Sequence, residues 1–299
     1  MNIATNCPNC LSNSLEKSPA ILMPFIAKTV FDWEPVLISP KDKFQTLESG
    51  KSYTNCNSVF CNNCYLLFLD IRFNDEEMNN LYKDYRGEKY INLREQFEPG
   101  YASRNKILET QIPYMDLIEE FISRNSNNDF KTLLDWGGGN GVNTPFLNKS
   151  SVKKYIYDIA EDQIPKEEVE YLADLKRKKF DLIVCLHVFE HLPFPLKSIQ
   201  ELLKNLKGNG YIYIEVPKES IIDDMFLNRK VLNNKKHWHE HVNFFSIKSL
   251  TELIKAAGLS IIDINSKNVS KGNFRLNIYQ LIARKPLSLE KLPNKIVSD

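Results

Sequence analysis

The hydrophobic pattern of the chain changes near residue 130. From there on, short continuous apolar runs alternate with segments whose apolar residues recur every three or four positions. Lys131 to Asp135 reads as a short buried strand, followed by glycines and a helix, and Lys154 to Asp158 as a second strand. Phe180 to Val188 is a long apolar run bounded by charge, as suits a central parallel strand covered on both faces. Leu196, Ile199, Leu202, Leu203 and Leu206 predict one helical face that stops at Gly208-Asn209-Gly210, and Tyr211 to Val216 a strand closed by Pro217. Ser246 predicts the cap of a helix carrying Leu250, Leu253 and Ile254, with Gly258 at its C-terminal end. Leu259 to Ile264 and Phe274 to Ala283 read as the last strands. Alternating strands and helices predict an α/β fold with a doubly wound, mostly parallel sheet.

The part before residue 130 behaves differently. Ile107, Leu108, Ile112, Met115, Ile118 and Ile122 predict a helix kinked at Pro113, and Ser123 to Asp129 a polar loop. The stretch from 71 to 128 is otherwise polar and aromatic, and residues 1–70 hold five of the six cysteines. The expected division is a zinc-binding module at 1–70, a connecting lid segment at 71–128, a catalytic domain at 129–285 and a tail at 286–299.

Bulk composition adds exclusions. Apolar residues are 42% and charged residues 26%, as in soluble globular proteins, and a net charge of +1 gives no global pull toward nucleic acid or an anionic membrane. The apolar stretch Ala20 to Ala27 is far below the ~20 residues of a membrane span, and the first residues lack the features of a signal peptide. A cytoplasmic enzyme is the expectation, with neither nucleic acid nor membrane as a partner. In that setting Cys7-Pro8-Asn9-Cys10 and Cys61-Asn62-Asn63-Cys64 read as two knuckles completing a tetrahedral zinc site. Four thiolate ligands leave no open position, so this zinc is structural. Cys56 belongs to no such pair and is taken as a bystander.

The segment Leu133-Leu134-Asp135-Trp136-Gly137-Gly138-Gly139-Asn140-Gly141 carries the cofactor chemistry. Glycines after a strand permit a tight turn and a close approach of ligand to backbone. A dinucleotide fingerprint needs glycine or alanine at the sixth place from Gly137, where Val142 stands. The pattern Asp-x-Gly-x-Gly-x-Gly instead resembles motif I of class I S-adenosylmethionine (SAM)-dependent methyltransferases. That resemblance implies a Rossmann-like catalytic domain with a seven-stranded sheet, and SAM as cofactor. Asp158, seventeen residues beyond Gly141, is then expected to hold the ribose hydroxyls, and Asp174 to face the adenine. Phe180-Asp181-Leu182-Ile183-Val184 through Glu190-His191-Leu192 also resembles this family, and places Glu190 and His191 at a strand end where ligands bind.

Four of the five histidines are His191 and three in Lys235-Lys236-His237-Trp238-His239-Glu240-His241. This stretch resembles the "YHEHxxYFS" segment of SAM-dependent sugar methyltransferases, which also tend to carry a four-cysteine zinc module. The resemblance implies that His239, Glu240 and His241 line the substrate pocket, with His241 as general base oriented by Glu240 and His191 as its rival. A metal site on the three alternate histidines is the minor alternative. Trp238 in place of the tyrosine, and a short C-terminus, weaken C-methylation of a keto-deoxysugar against O-methylation. Tyr85, Arg86, Tyr90 and Tyr101 are expected in a lid over SAM and substrate, and Arg229, Lys230, Lys235 and Lys236 as a basic rim for a phosphorylated or nucleotide-linked acceptor. The favoured function is methylation of a hydroxyl of a sugar or activated sugar in surface polysaccharide biosynthesis. Other small molecules, such as a natural product or phosphoryl compound, are the alternative, and a zinc-ribbon RNA-binding protein is a remote one.

Overall fold

A computed structural model describes residues 1–36, 54–106, 110–127, 129–160, 166–222, 232–271 and 274–286. In chain order the N-terminal elements are β1 (Asn2–Ile3), β2 (Leu15–Leu22), α1 (Pro24–Phe31), β3 (Cys56–Cys61), β4 (Leu67–Leu69) and β5 (Ile71–Arg72). Four helices follow: α2 (Asp75–Tyr82), α3 (Glu88–Phe97), α4 (Tyr101–Asn105) and α5 (Met115–Asn125). Next come β6 (Thr132–Trp136), β7 (Lys153–Tyr157), β8 (Val169–Tyr171), β9 (Phe180–Leu186), α6 (Pro195–Leu202) and β10 (Leu206–Pro217). The chain continues through β11 (His237–Trp238), β12 (Asn243–Phe244), α7 (Ile247–Ala256), β13 (Ser260–Lys271) and β14 (Phe274–Arg284).

Seven strands form the main sheet in the order β13-β14-β10-β9-β6-β7-β8. Pairings from β10 to β8 are parallel, and only β14 and β13 run antiparallel to their neighbours. Alternate residues feed opposite faces, as strand pleating requires. Leu134, Ile183, Cys185, Ile212 and Ile214 pack with Leu196, Ile199, Leu250 and Leu253 of α6 and α7. Leu133, Leu182, Val184 and Tyr213 pack with Met115, Ile118, Phe121 and Ile122 of α5. Each buried aliphatic side chain contributes roughly 1.5–3 kcal/mol of transfer free energy, and this two-sided burial holds the central strand ends in place.

Several expectations need correction. No helix follows the glycines: residues 138–151 form successive turns, because Pro145 supplies no amide donor and disfavours the helical conformation at Thr144. The helix before residue 130 starts at Met115, so Pro113 precedes it rather than kinking it; Ile107 and Leu108 lie outside the described residues. α6 ends at Leu202 with a 3-10 turn over Leu203–Asn205, and the Gly208–Gly210 stretch lies inside β10, where the register with β9 shifts between Leu206 and Tyr211. Ser246 does cap α7, exchanging hydrogen bonds with Ser249.

A second sheet, ordered β11-β2-β3-β4-β12, joins the N-terminal strands to residues far along the chain. Residues 237–238 pair with Ile21 and Leu22 at one edge, and residues 243–244 with Phe68 and Leu67 at the other. The five steps from Trp238 to Asn243 reach at most about 18 Å, so the sheet curls its two edges toward each other. The stretch 239–242 is therefore pinned at both ends by the N-terminal sheet. No helix among the described residues is long and apolar enough to cross a membrane.

Candidate active site

The four knuckle cysteines converge. Their sulfurs all lie within 4.8 Å of one another, with Cys7–Cys64 and Cys10–Cys61 at 3.6 Å. Four thiolates around a zinc ion at ~2.3 Å stand about 3.8 Å apart, so the donor set fits that ion. The knuckles mirror each other. Leu11 and Tyr65, each following a Cys-x-x-Cys pair, adopt positive φ and return their amides to the carbonyls of Cys7 and Cys61. Asn63 donates to Cys10 Sγ, and the Asn9 amide lies 3.6 Å from Cys64 Sγ while donating to the Ser249 carbonyl. Cys56 stands apart from the four.

The glycine turn leaves β6 at the carboxyl end of the sheet. Asp135 is buried, accepts from the Thr144 hydroxyl, and is pushed up to about 7 by burial. At Gly137 the backbone has φ +79, and a Cβ there would meet Val188 Cγ2 at 2.6 Å. Gly139 also has positive φ but faces open space within 4 Å, so the turn is tight on one side and accessible on the other. Asp158, just past β7, accepts from the Gly139 amide at 2.8 Å and the Ala160 amide at 2.9 Å. The carboxylate thus sits against the turn from the neighbouring strand. Asp174 does not join them. It is exposed, and its carboxylate closes a local turn by accepting from the Lys176 amide.

Histidines and carboxylates gather beyond β9. His191 and His241 stack edge to face at 4.6 Å, with Glu190 buried beside them. The His191 Nδ1–H donates to the backbone carbonyl of Glu240 at 3.1 Å. Burial, then the neighbouring His241, lower His191 to about 4, so it is neutral near pH 7. His241 behaves oppositely. Burial opposes its charge, but the Glu219 carboxylate 3.3 Å from Nδ1 and the nearby Glu190 and Glu240 raise its pKa. The expected Glu240–His241 pair is not formed: the carboxylate in contact with His241 Nδ1 is that of Glu219.

Glu240 instead accepts two hydrogen bonds from Arg94, at 2.8 and 3.1 Å. Burial opposes ionisation of Glu240, yet the guanidinium holds it down at about 2. Arg94 also donates to the Tyr90 hydroxyl and to Glu98, and its guanidinium lies over the Tyr101 ring at 4.3 Å. Tyr82, Tyr85, Tyr90 and Tyr101 form a chain of ring contacts from α2 to α4 that reaches His191 through Tyr82. His239 Nδ1 lies 3.4 Å from Glu98, and His237 is exposed. The alternate histidines therefore do not converge on one metal. Arg229 and Lys230 lie outside the described residues, Lys236 is exposed, and Lys235 is buried over Trp238 and Phe244.

Sequence reasoning missed Arg94, Glu219 and the fifth histidine. His187 follows the last residue of β9 with φ 53, between Glu190 and Glu215 at 3.4 and 3.2 Å and beside the Tyr114 hydroxyl. Burial opposes its charge, but those two carboxylates raise it to about 10. A polar residue ending a central apolar strand was the signal available for His187. The spacing of four between Tyr90, Arg94 and Glu98 was the one for Arg94.

A parallel sheet with an antiparallel edge pair, a glycine turn at its carboxyl end and an acid on the adjacent strand define the class of SAM-dependent methyltransferases. A family model described as a methyltransferase domain matches residues 109–264, more than half of the chain. The chain belongs to that methyltransferase family and is a SAM-dependent enzyme of it. It is similar to the ubiquinone biosynthesis O-methyltransferase of Hydrogenovibrio crunogenus, 26% identical over 160 residues, which are 47% of this chain and 66% of that protein. The protein of the same description from Idiomarina loihiensis is 25% identical over 167 residues, 48% of this chain and 68% of that one. Among solved structures, the Burkholderia thailandensis 1,6-didemethyltoxoflavin-N1-methyltransferase covers 77% of this chain and 96% of its own, at 15% identity and a TM-score of 0.49.

Proposed function

We propose that the protein methylates a hydroxyl of a small polar acceptor, a sugar or a nucleotide- or phosphate-linked sugar of surface polysaccharide synthesis. The observation that carries hydroxyl chemistry is His241 backed by Glu219, next to a buried acid and under a roof of tyrosines. SAM held by the Gly137–Gly141 turn, with Asp158 as the residue for its ribose hydroxyls, would supply a sulfonium methyl group. The protein's task is to align the acceptor oxygen in line with that methyl and to take its proton. Glu219 accepts from Nδ1 and fixes the His241 tautomer, so the other ring nitrogen acts as the base. Tyr85, Tyr90, Tyr101 and His239 border the acceptor, while Glu240 serves as an anchor for Arg94 rather than as a proton carrier. The four cysteines hold a structural Zn2+ that fixes the sheet carrying residues 237–244.

A second reading rests on the relatives described as ubiquinone biosynthesis O-methyltransferases: the acceptor is a phenolic hydroxyl, whose ring the tyrosines would stack against. Labelled SAM, offered with a panel of nucleotide sugars, sugar phosphates and hydroxylated aromatics, separates the two. Label found only in aromatic acceptors would defeat the sugar assignment. Calorimetry showing no SAM binding at tens of micromolar would sink both.

A further inference from the structure

Glu190 is the least explained group in the molecule. Its side chain is 1% exposed, and neither carboxylate oxygen has a hydrogen-bond partner. A buried carboxylate without partners is costly, so its persistence points to a ligand that supplies hydrogens. The charged His187 ring is its counter-ion, with Nδ1 3.4 Å from Oε1, and the neutral His191 Nε2 lies 4.0 Å away.

The tautomers sharpen this. His191 donates its Nδ1–H to a backbone carbonyl, an acceptor only, which leaves a lone pair on Nε2. His241 directs Nδ1–H at Glu219, and its other nitrogen is an acceptor in the neutral ring that serves as the base. The Glu190 carboxylate and the His191 lone pair, both acceptors, stand within 4.8 Å of each other and of a His241 ring nitrogen. The hydroxyl of Tyr82, whose ring packs edge to face on His191, is a buried donor with no hydrogen-bond partner. A single acceptor hydroxyl brings one hydrogen, and His241 takes it. The rest of the site asks for another.

Glu190 Oε1 and His191 Nε2 are 4.0 Å apart, wider than the ~3.4 Å between ligands of a tetrahedral ion at ~2.1 Å and close to the ~4.2 Å between opposite ligands of an octahedral one, so a metal is one outcome of the test below. An oxygen placed ~2.8 Å from each subtends about 90°, an ordinary angle for a hydroxyl or water. The cysteine cluster, by contrast, has the spacing its ion requires.

We propose that Glu190 and His191 form a subsite for a second hydroxyl of the acceptor, adjacent to the one methylated, so that the enzyme selects vicinal diols. The inference rests on the hydroxyl-methylation reading and makes Glu190 a specificity-determining residue. The sequence pattern placed Glu190 at a strand end where ligands bind; on this reading its open valences serve the acceptor.

The test compares methyl transfer to catechol with that to phenol, and to cis-1,2-cyclohexanediol with that to cyclohexanol, in the wild type and in Glu190→Gln. Calorimetric titration of the same compounds into the enzyme saturated with S-adenosylhomocysteine runs in parallel, so a compound that is not turned over still reports. A diol preference of about tenfold or more in the wild type, shrinking to about threefold or less in the variant, with SAM affinity unchanged, is the expected result. Equal handling of diol and mono-ol by the wild type overturns the proposal, even if the variant fails to fold. So does a preference that survives the substitution. A second equivalent of Zn2+ or Mn2+ retained by the wild type and lost in Glu190→Gln overturns it as well, in favour of a metal centre. Failure of hydroxyl methylation itself looks different: diols bind selectively, but label appears on no oxygen.

Discussion

Replacing Arg94 by Ala removes the counter-ion of a carboxylate that is only 13% exposed. In the folded protein Glu240 lies at about 2 against an ordinary 4.5, which corresponds to about 3 kcal/mol of stabilisation of its charged form. Loss of one partner of a buried ion pair independently suggests roughly 3–5 kcal/mol. The two agree, and the expected loss at pH 7 is about 3 kcal/mol. Because the Glu240 pKa is depressed on folding, this stability is present above the unfolded value and fades as pH falls from about 4.5 toward 2. Urea denaturation of the wild type and Arg94→Ala at pH 7 and pH 3 measures the gap, which should narrow in acid. The double variant with Glu240→Gln should recover part of the loss, because no buried charge is left unpaired. A gap below about 1 kcal/mol at pH 7, or one that does not change with pH, refutes the reasoning. Transfer activity should also fall, since the Glu240 carbonyl fixes the ring of His191.

His241→Ala should lower kcat by about 100-fold or more with SAM affinity unchanged; undiminished turnover removes it as the base. Glu219→Gln deletes the carboxylate that raises the His241 pKa, so the acid limb of the pH–kcat profile should move to lower pH, and an unmoved limb denies the pairing. Gly137→Ala places a Cβ 2.6 Å from Val188 Cγ2 at a positive φ, and calorimetry should show SAM binding weakened about tenfold or more. Cys61→Ser, or removal of zinc by a chelator, should abolish transfer while leaving SAM binding largely intact, because the cysteines brace the sheet at residues 237–244 and not the glycine turn. Equal loss of both functions would speak against that division.

What was legible in the sequence was local. The cofactor turn announces itself because its glycines, its acid and the next strand's Asp158 fall within a short stretch. The cysteine knuckles are equally compact, and the Phe180 run marks the central strand by hydrophobicity alone. The partners of the His239–His241 segment were hidden because they are remote: Arg94 reaches Glu240 across 146 positions, and Glu219 reaches His241 across 22. β11 and β12 have two residues each, too few to show any period. The missing helix after Gly141 reflects a turn-rich segment whose Pro145 outweighed the usual strand–turn–helix pattern. β8 ends at Tyr171, so Asp174 falls in the turn beyond it and accepts from the Lys176 amide.

The curled sheet has a consequence for synthesis of the chain. Its inner strands β2, β3 and β4 are complete once Leu69 has been made, but both outer strands lie between His237 and Phe244. At ~5–20 residues per second, a ribosome needs about 9–35 s to supply them. During that interval β2 and β4 offer unpaired edges, the kind of surface that recruits strands from other chains. Metal captured early by the cysteines would hold the unfinished sheet closed while the catalytic domain emerges. The zinc supply during translation would then set how much of the newly made enzyme reaches its finished form.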